Sequence, residues 1–416
     1  MFTSLFILFI SFALITELYL SNRQISSVRR HRHQVPIDFS DQLELTAHQK
    51  AADYTVAKQR VGQLELVLAT VILIGWTLGG GIAWVDKFCS TLFDSTLTLG
   101  IAVVMMVMLV SSLIDLPVGL WKTFSLEEKF GFNRTNLKDY FLDLIKGTLL
   151  SLVLITPLLA AFFWLMDQAG QLWWLYGWLL WLSFSLLLTW AYPVFIAPLF
   201  NKFKQLDDGP LRERIRALLA RTDFAGDDIR IMDGSRRSAH SNAYFTGFGR
   251  NKRIVFYDTL MEILTEQELE AVLAHELGHF SLHHVRKRLI TGSLMTLAGL
   301  ALLGWLMTQA WFYQSLGVSE PSLHTALLLF MMAVPVFTFP LKPLLSLSSR
   351  KHEFEADAFA QAHTGGEPLI SALIKLSESN ASTVTPDSLH SSFYDSHPPV
   401  AMRIAKLATN PGETAS

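Results

Sequence analysis

Seven stretches of this chain are long and apolar enough to cross a bilayer, which settles most of what it can fold into. They lie at 2–20, 66–85, 97–121, 147–166, 172–199, 289–313 and 323–347. A span needs about 20 mostly apolar residues, because no water reaches the hydrocarbon to satisfy exposed backbone groups. Residues are 51% hydrophobic and 17% charged, whereas a soluble domain carries about 25% charge. Eleven Trp and 29 Phe suit interfacial belts and lipid-facing surfaces. The expected fold is mainly α and multi-pass, with the lipid bilayer as a partner. The first stretch lacks a basic leader and a small-x-small cleavage site and carries Glu17, so it reads as a retained helix.

Loop charges predict the orientation. The connection 21–65 holds Arg23, Arg29, Arg30, Arg32, Lys50, Lys58 and Arg60; the connection 122–146 holds Lys122, Lys129, Arg134, Lys138 and Lys146. The alternate connections are nearly free of Lys and Arg. Basic loops stay in the cytoplasm, so the N-terminus is expected outside and the C-terminus inside. This orientation suits a bacterial inner membrane or the endoplasmic reticulum. Asp115, near the end of the third stretch, either faces a water-filled cavity or snorkels. A net charge of -2 gives no sign of a nucleic-acid partner, and a single cysteine, Cys89, leaves no thiolate cluster for a metal.

Residues 1–200 are expected to form a five-span membrane region, and 201–416 a region that carries the metal motif taken up below, the last two spans and a cytoplasmic tail. From Asn201 to Arg288 the chain turns polar. Leu211 to Arg221 reads as an amphipathic helix. Ile229–Met232, Ser241–Thr246 and Arg253–Tyr257 read as strands, the last two joined by a turn around Gly249 and Asn251. The edge of such a small β-sheet could take an extended peptide as an added strand, or the sheet could only brace the next helix.

That helix carries His275-Glu276-Leu277-Gly278-His279, an H-E-x-x-H motif. Thr265 and Glu268 have capping-box spacing, so the helix is predicted from about Glu266. His275 and His279 then share one face, one turn apart, and can grip one zinc ion while Glu276 takes a proton from its water. The motif alone also occurs by chance. Gly278 costs a helix about 1 kcal/mol relative to Ala and calls for a reason, such as close approach of another backbone.

A catalytic zinc keeps three protein ligands and an open position. Glu353 is the candidate third ligand, on a helix read over Ser349–Ala360 with Asp357 on the same face. Two spans separate His279 from Glu353, so both halves return to one side of the membrane. His283 is a rival, but it lies about 12 Å along a helix from His275; His283 and His284 read as helix-end or surface residues. Glu355 points to a different face. Asp357 either orients a ligating imidazole or forms a plain helix ion pair. His397, between Ser396 and Pro398-Pro399, is either an oxyanion donor or a structural histidine.

The combination resembles the type I CaaX prenyl endopeptidases, integral-membrane zinc metallopeptidases of the gluzincin group. Glu127–Thr135, Ser241–Phe245, His275 to His279, Glu353 with Asp357, and Ser396–Pro399 carry the likeness. It implies a seven-helix barrel around a chamber, with one Zn2+ per chain held by His275, His279 and Glu353 and with Glu276 as base. It also implies that Asn242 binds substrate backbone and that His397 and Arg403 lie near the site, Arg403 toward the substrate. The implied substrate is a C-terminal CaaX peptide or protein, prenylated on its cysteine. The alternatives are a broad-specificity quality-control membrane metalloprotease and, from another class, a transporter carrying an incidental metal site.

Overall fold

A computed structural model of the chain describes residues 1–222, 224, 228–246 and 253–409. Its apolar stretches are helices at Phe2–His31, Leu45–Trp76, Thr96–Trp121, Leu137–Gln168, Trp173–Ala191, His284–Leu306 and Leu323–Thr338. Among the described residues six helices are long and apolar enough to span, and a bent pair makes up to seven. The bend is where a single second span was expected. Leu45–Trp76 stops at Thr77, and Gly81–Ser90 leaves at 52°. Gly80 takes φ +73°, and a Cβ on Gly81 would stand 2.8 Å from the Gly75 carbonyl, so the glycine run permits a turn that other residues would block. The sixth stretch also differs: its helix ends at Leu306, and Ala310–Gln314 forms a separate short helix.

These helices close into a ring. Phe2–His31 touches both Leu45–Trp76 and Leu323–Thr338, and the others follow in chain order through Leu137–Gln168, Trp173–Ala191 and His284–Leu306. One apolar core plugs the end where Phe6, Ile82, Val103, Phe163, Leu303 and Leu329 meet. Only 6–28% of the most apolar window of each of the six long spans is buried in protein, which leaves most of their apolar surface uncovered. Asp115 is exposed.

The polar segment that follows the fifth span sits at the opposite end, with the two basic connections. Residues 132–134 pair with 237–239: Arg134 N–H donates to the Arg237 carbonyl at 3.1 Å and Ala239 N–H to that of Phe132 at 3.0 Å. A four-stranded sheet contains β1 (Phe203–Gln205), β2 (Asp228–Met232), β3 (Ala243–Thr246) and β4 (Arg253–Tyr257) in the order β1-β2-β4-β3. β1 was not expected, being only three residues long. β2 runs parallel to β4, with Ile229 opposite Ile254, and β3 antiparallel to β4, with Tyr244 opposite Val255. The turn expected at Gly249 and Asn251 lies outside the described residues.

The helix carrying H-E-x-x-H, hereafter the motif helix, is Glu266–Ser281. Its capping box forms as expected: Thr265 accepts from the Glu268 amide, and Glu268 accepts from the Thr265 amide at 2.7 Å. Buried Glu268 also takes Ser371 Oγ at 2.6 Å and Lys375 Nζ at 2.8 Å, tying the helix start to helix Gly366–Ser379. Leu269, Leu273 and Leu277 enter a second core with Ile215, Ile254 and Leu373. The seventh membrane helix turns through Phe339–Leu341 and continues as Lys342–Thr364, the return helix, which packs along the motif helix.

Candidate metal centre

The close approach sought at Gly278 is made by the return helix. A Cβ on Gly278 would lie 3.0 Å from Ala356 Cα and 3.1 Å from Phe359 Cβ. Ala356 and Ala360 are fully buried, and such small residues let two helix backbones approach closely. The packing brings Glu353 against the two histidines. One ligand atom from each of His275, His279 and Glu353 lies within 4.8 Å of the others. His275 Nε2 is 3.3 Å from His279 Nε2 and 3.4 Å from Glu353 Oε2, and His279 Nε2 is 3.3 Å from Glu353 Oε1.

This donor set fits a divalent cation. Two imidazole nitrogens face each other across a buried carboxylate, and three protein ligands leave a position open. Glu353 Oε2 is buried and accepts no well-aligned hydrogen bond, although His397 Nδ1 stands 2.6 Å away. A cation would satisfy that orphan oxygen.

Behind these three residues stands a buried support. His275 Nδ1 stands 2.8 Å from Asp357 Oδ1 and 3.3 Å from Arg403 Nη2, and Asp357 shares the return helix with Glu353. Arg403, from helix Val400–Ala408, clasps Asp357 with Nε to Oδ2 at 2.8 Å and Nη2 to Oδ1 at 2.6 Å. Only 7% of Arg403 is exposed. The expected substrate-facing arginine is thus engaged behind His275, because a bidentate carboxylate holds its guanidinium in the interior. Burial opposes charge on the His275 ring, but the Asp357 and Glu353 carboxylates outweigh it and push the pKa up to about 9.

Glu276 is half-buried on the same turn and makes no hydrogen bond or ion pair among the described residues. His397 is 64% exposed in its side chain, with one ring nitrogen on Glu353. Asn242 is exposed just before edge strand β3; its Oδ1 accepts from the next amide, Ala243, at 2.8 Å, and its carbonyl from Tyr257 N–H at 3.0 Å.

The sequence reading did not bring together the residues of two further groups. Tyr54 Oη–H donates to Glu127 Oε1 at 2.7 Å, His240 Nε2 lies 3.3 Å from Glu127 Oε2, and His240 Nδ1 lies 3.2 Å from Asn380 Oδ1. The same Asn380 oxygen accepts from the Ser241 amide at 2.9 Å. A membrane helix, the Glu127–Thr135 stretch and the tail therefore meet at the lead-in to β3. These partners are up to 140 residues apart in the chain, and no spacing signals them. The second group is His284, His352 and Glu355. His284 is buried rather than superficial. His283 takes φ +61°, a left-handed conformation rare outside glycine, and this turn between two helices sends the His284 ring inward. The double histidine was visible; its backbone turn was not.

Comparison with known proteins bears on the whole chain. Residues 24–202 match the family model "CAAX prenyl protease N-terminal, five membrane helices", and 205–410 match "Peptidase family M48". A CAAX prenyl protease 1 homolog of Arabidopsis thaliana is 40% identical over 72% of this chain and 71% of its own. The Homo sapiens homolog is 30% identical over 94% of this chain and 92% of its own. The crystal structure of S. mikatae Ste24p superposes with a TM-score of 0.91 at 31% identity, covering 97% of this chain and 98% of that one.

Proposed function

The chain belongs to the CAAX prenyl protease group of peptidase family M48, and from this premise we propose that it is a zinc endopeptidase cutting near the C-terminus of CaaX-type substrates prenylated on cysteine. That it is a multi-pass membrane metalloendopeptidase follows from the family itself. The observation that carries the finer reading is the convergence of His275, His279 and Glu353 beside a free Glu276.

A bound zinc supplies an activated water and polarises the scissile carbonyl. His275, His279 and Glu353 would hold it. Glu276 takes the proton from the water and passes it to the leaving amine. His397 reaches the same pocket from the exposed side and is placed to donate to the oxyanion. A substrate strand laid along β3 would gain main-chain hydrogen bonds, with Asn242 at its start. Arg403 acts through Asp357 to fix the His275 ring. With the basic connections at the peptidase end, we place the site on the cytoplasmic side.

The test is incubation of purified protein with a farnesylated CaaX peptide, the same peptide unmodified, and a denatured membrane protein, each with and without a chelator. Chelator-sensitive release of the last three residues, faster from the farnesylated peptide, is expected. Equal cleavage of all three substrates would favour a quality-control protease instead.

A further inference from the structure

Each histidine of the metal centre uses Nε2 toward the centre and turns Nδ1 away. For His275 the partner behind Nδ1 is the Asp357 carboxylate at 2.8 Å. For His279 no carboxylate fills that place among the described residues. Its Nδ1 instead stands 3.1 Å from Nδ1 of His284, and His284 Nε2 stands 2.8 Å from Glu355 Oε2. His284 is 4% exposed, and its ring stacks on His352 at 4.1 Å between centroids with 17° between planes.

With His279 Nε2 bare, as a metal ligand requires, these contacts permit one consistent assignment of protons. Glu355, a carboxylate, only accepts, so His284 Nε2 carries hydrogen and donates to it. His279, with Nε2 bare and directed at His275 Nε2 and Glu353, carries its hydrogen on Nδ1 and donates it to a bare Nδ1 of His284. That tautomer is the one a metal-ligating imidazole needs. We propose that His284 and Glu355 form a hydrogen-bond relay that sets the tautomer and ring plane of His279, the counterpart of Asp357 and Arg403 behind His275. The inference rests on His279 being a metal ligand, as in the proposed function.

The relay also accounts for the stacking. His352 covers the His284 face, so that ring cannot rotate away from either partner. With both nitrogens engaged, His284 has no lone pair left for an ion of its own, although His284, His352 and Glu355 are close enough together to suggest a second metal site. Groups that hold a ligating imidazole from behind change metal affinity about 10–100-fold when removed.

The experiment measures zinc dissociation constants by competition with a chromophoric chelator, zinc stoichiometry by elemental analysis, and Tm of the metal-free protein, all on full-length protein in detergent. His284→Phe keeps the ring stack and removes both nitrogens; zinc should bind about 10–100-fold more weakly at unchanged stoichiometry of one. Glu355→Leu, at a half-buried position that tolerates change, should weaken zinc in the same direction, and Glu355→Gln, which keeps an acceptor oxygen, should restore most of the loss. A merely structural role predicts a lower metal-free Tm with zinc affinity unchanged, and that result overturns the relay. So does a second zinc in the unaltered protein that Glu355→Leu removes. If the unaltered protein binds no zinc, the proposed function itself fails, a separate outcome from a relay that does not matter.

Discussion

At the scale of single residues, Glu276 and His275 give the sharpest expectations. Glu276 is a carboxylate with no competing partner among the described residues, so Glu276→Gln should lower kcat by about 100- to 10,000-fold, the range for losing a general base. Zinc content should stay at one per chain by elemental analysis, because this substitution removes no ligand. Peptide cleavage at the original rate would remove Glu276 from the mechanism. His275 gives a pH dependence. In the metal-free protein its pKa is raised to about 9 by Asp357 and Glu353 against the opposing effect of burial. A raised pKa means that the native state holds the proton more tightly than the unfolded chain does. This stabilisation is complete below the usual histidine value and is lost as pH climbs through about 9. A metal must displace that proton, so zinc affinity should rise with pH, about tenfold per unit, and level off near pH 9. Competition titrations at several pH values check this; a flat profile from neutral pH up to about 9 would contradict it.

At the scale of elements, the centre depends on how closely two helices approach. The motif helix supplies Gly278 and the return helix Ala356, Phe359 and Ala360. A side chain at Gly278 meets backbone at 3.0 Å, and backbone cannot swing aside as a flexible side chain can. Gly278→Val should therefore destabilise the protein by about 1–3 kcal/mol, the usual cost of overpacking. Because the same displacement moves Glu353 away from the histidines, it should also weaken zinc binding. Gly278→Ala is the milder probe, since its gain in helix propensity of about 1 kcal/mol offsets part of the clash. Thermal unfolding with and without zinc separates the two effects. A valine variant of unchanged Tm and zinc affinity would mean that the helix pair is looser than these distances indicate.

At the scale of the whole molecule, the membrane ring and the peptidase part are joined where substrate would be held. Tyr54 on a membrane helix, Glu127 at the end of another, His240 before β3 and Asn380 near the tail form one hydrogen-bonded chain. Tyr54→Phe keeps the ring packing and removes only the donor to Glu127. It should raise KM for a CaaX peptide several-fold and leave zinc affinity unchanged, with a metal-free Tm lower by a few degrees for the loss of one neutral–charged hydrogen bond. Steady-state kinetics on the purified variant decides it; a change in kcat alone would place the network elsewhere in the cycle.

Local rules determined a good deal on their own. Apolar length marks the spans because hydrocarbon allows few alternatives to a helix. The Thr265 and Glu268 spacing marks a helix start because its partners are three residues apart. The edge pairing of β3 with β4 follows from strand propensity and proximity in the chain. What only the tertiary structure decided are relations between distant segments: the bend at Gly80, the engagement of Arg403 with Asp357, the inward turn of His284, and the meeting of Glu127 with His240. Each depends on a backbone turn or helix contact set by packing, and side chains brought together from distant positions, 113 apart for Glu127 and His240, leave no periodic trace in the order of residues.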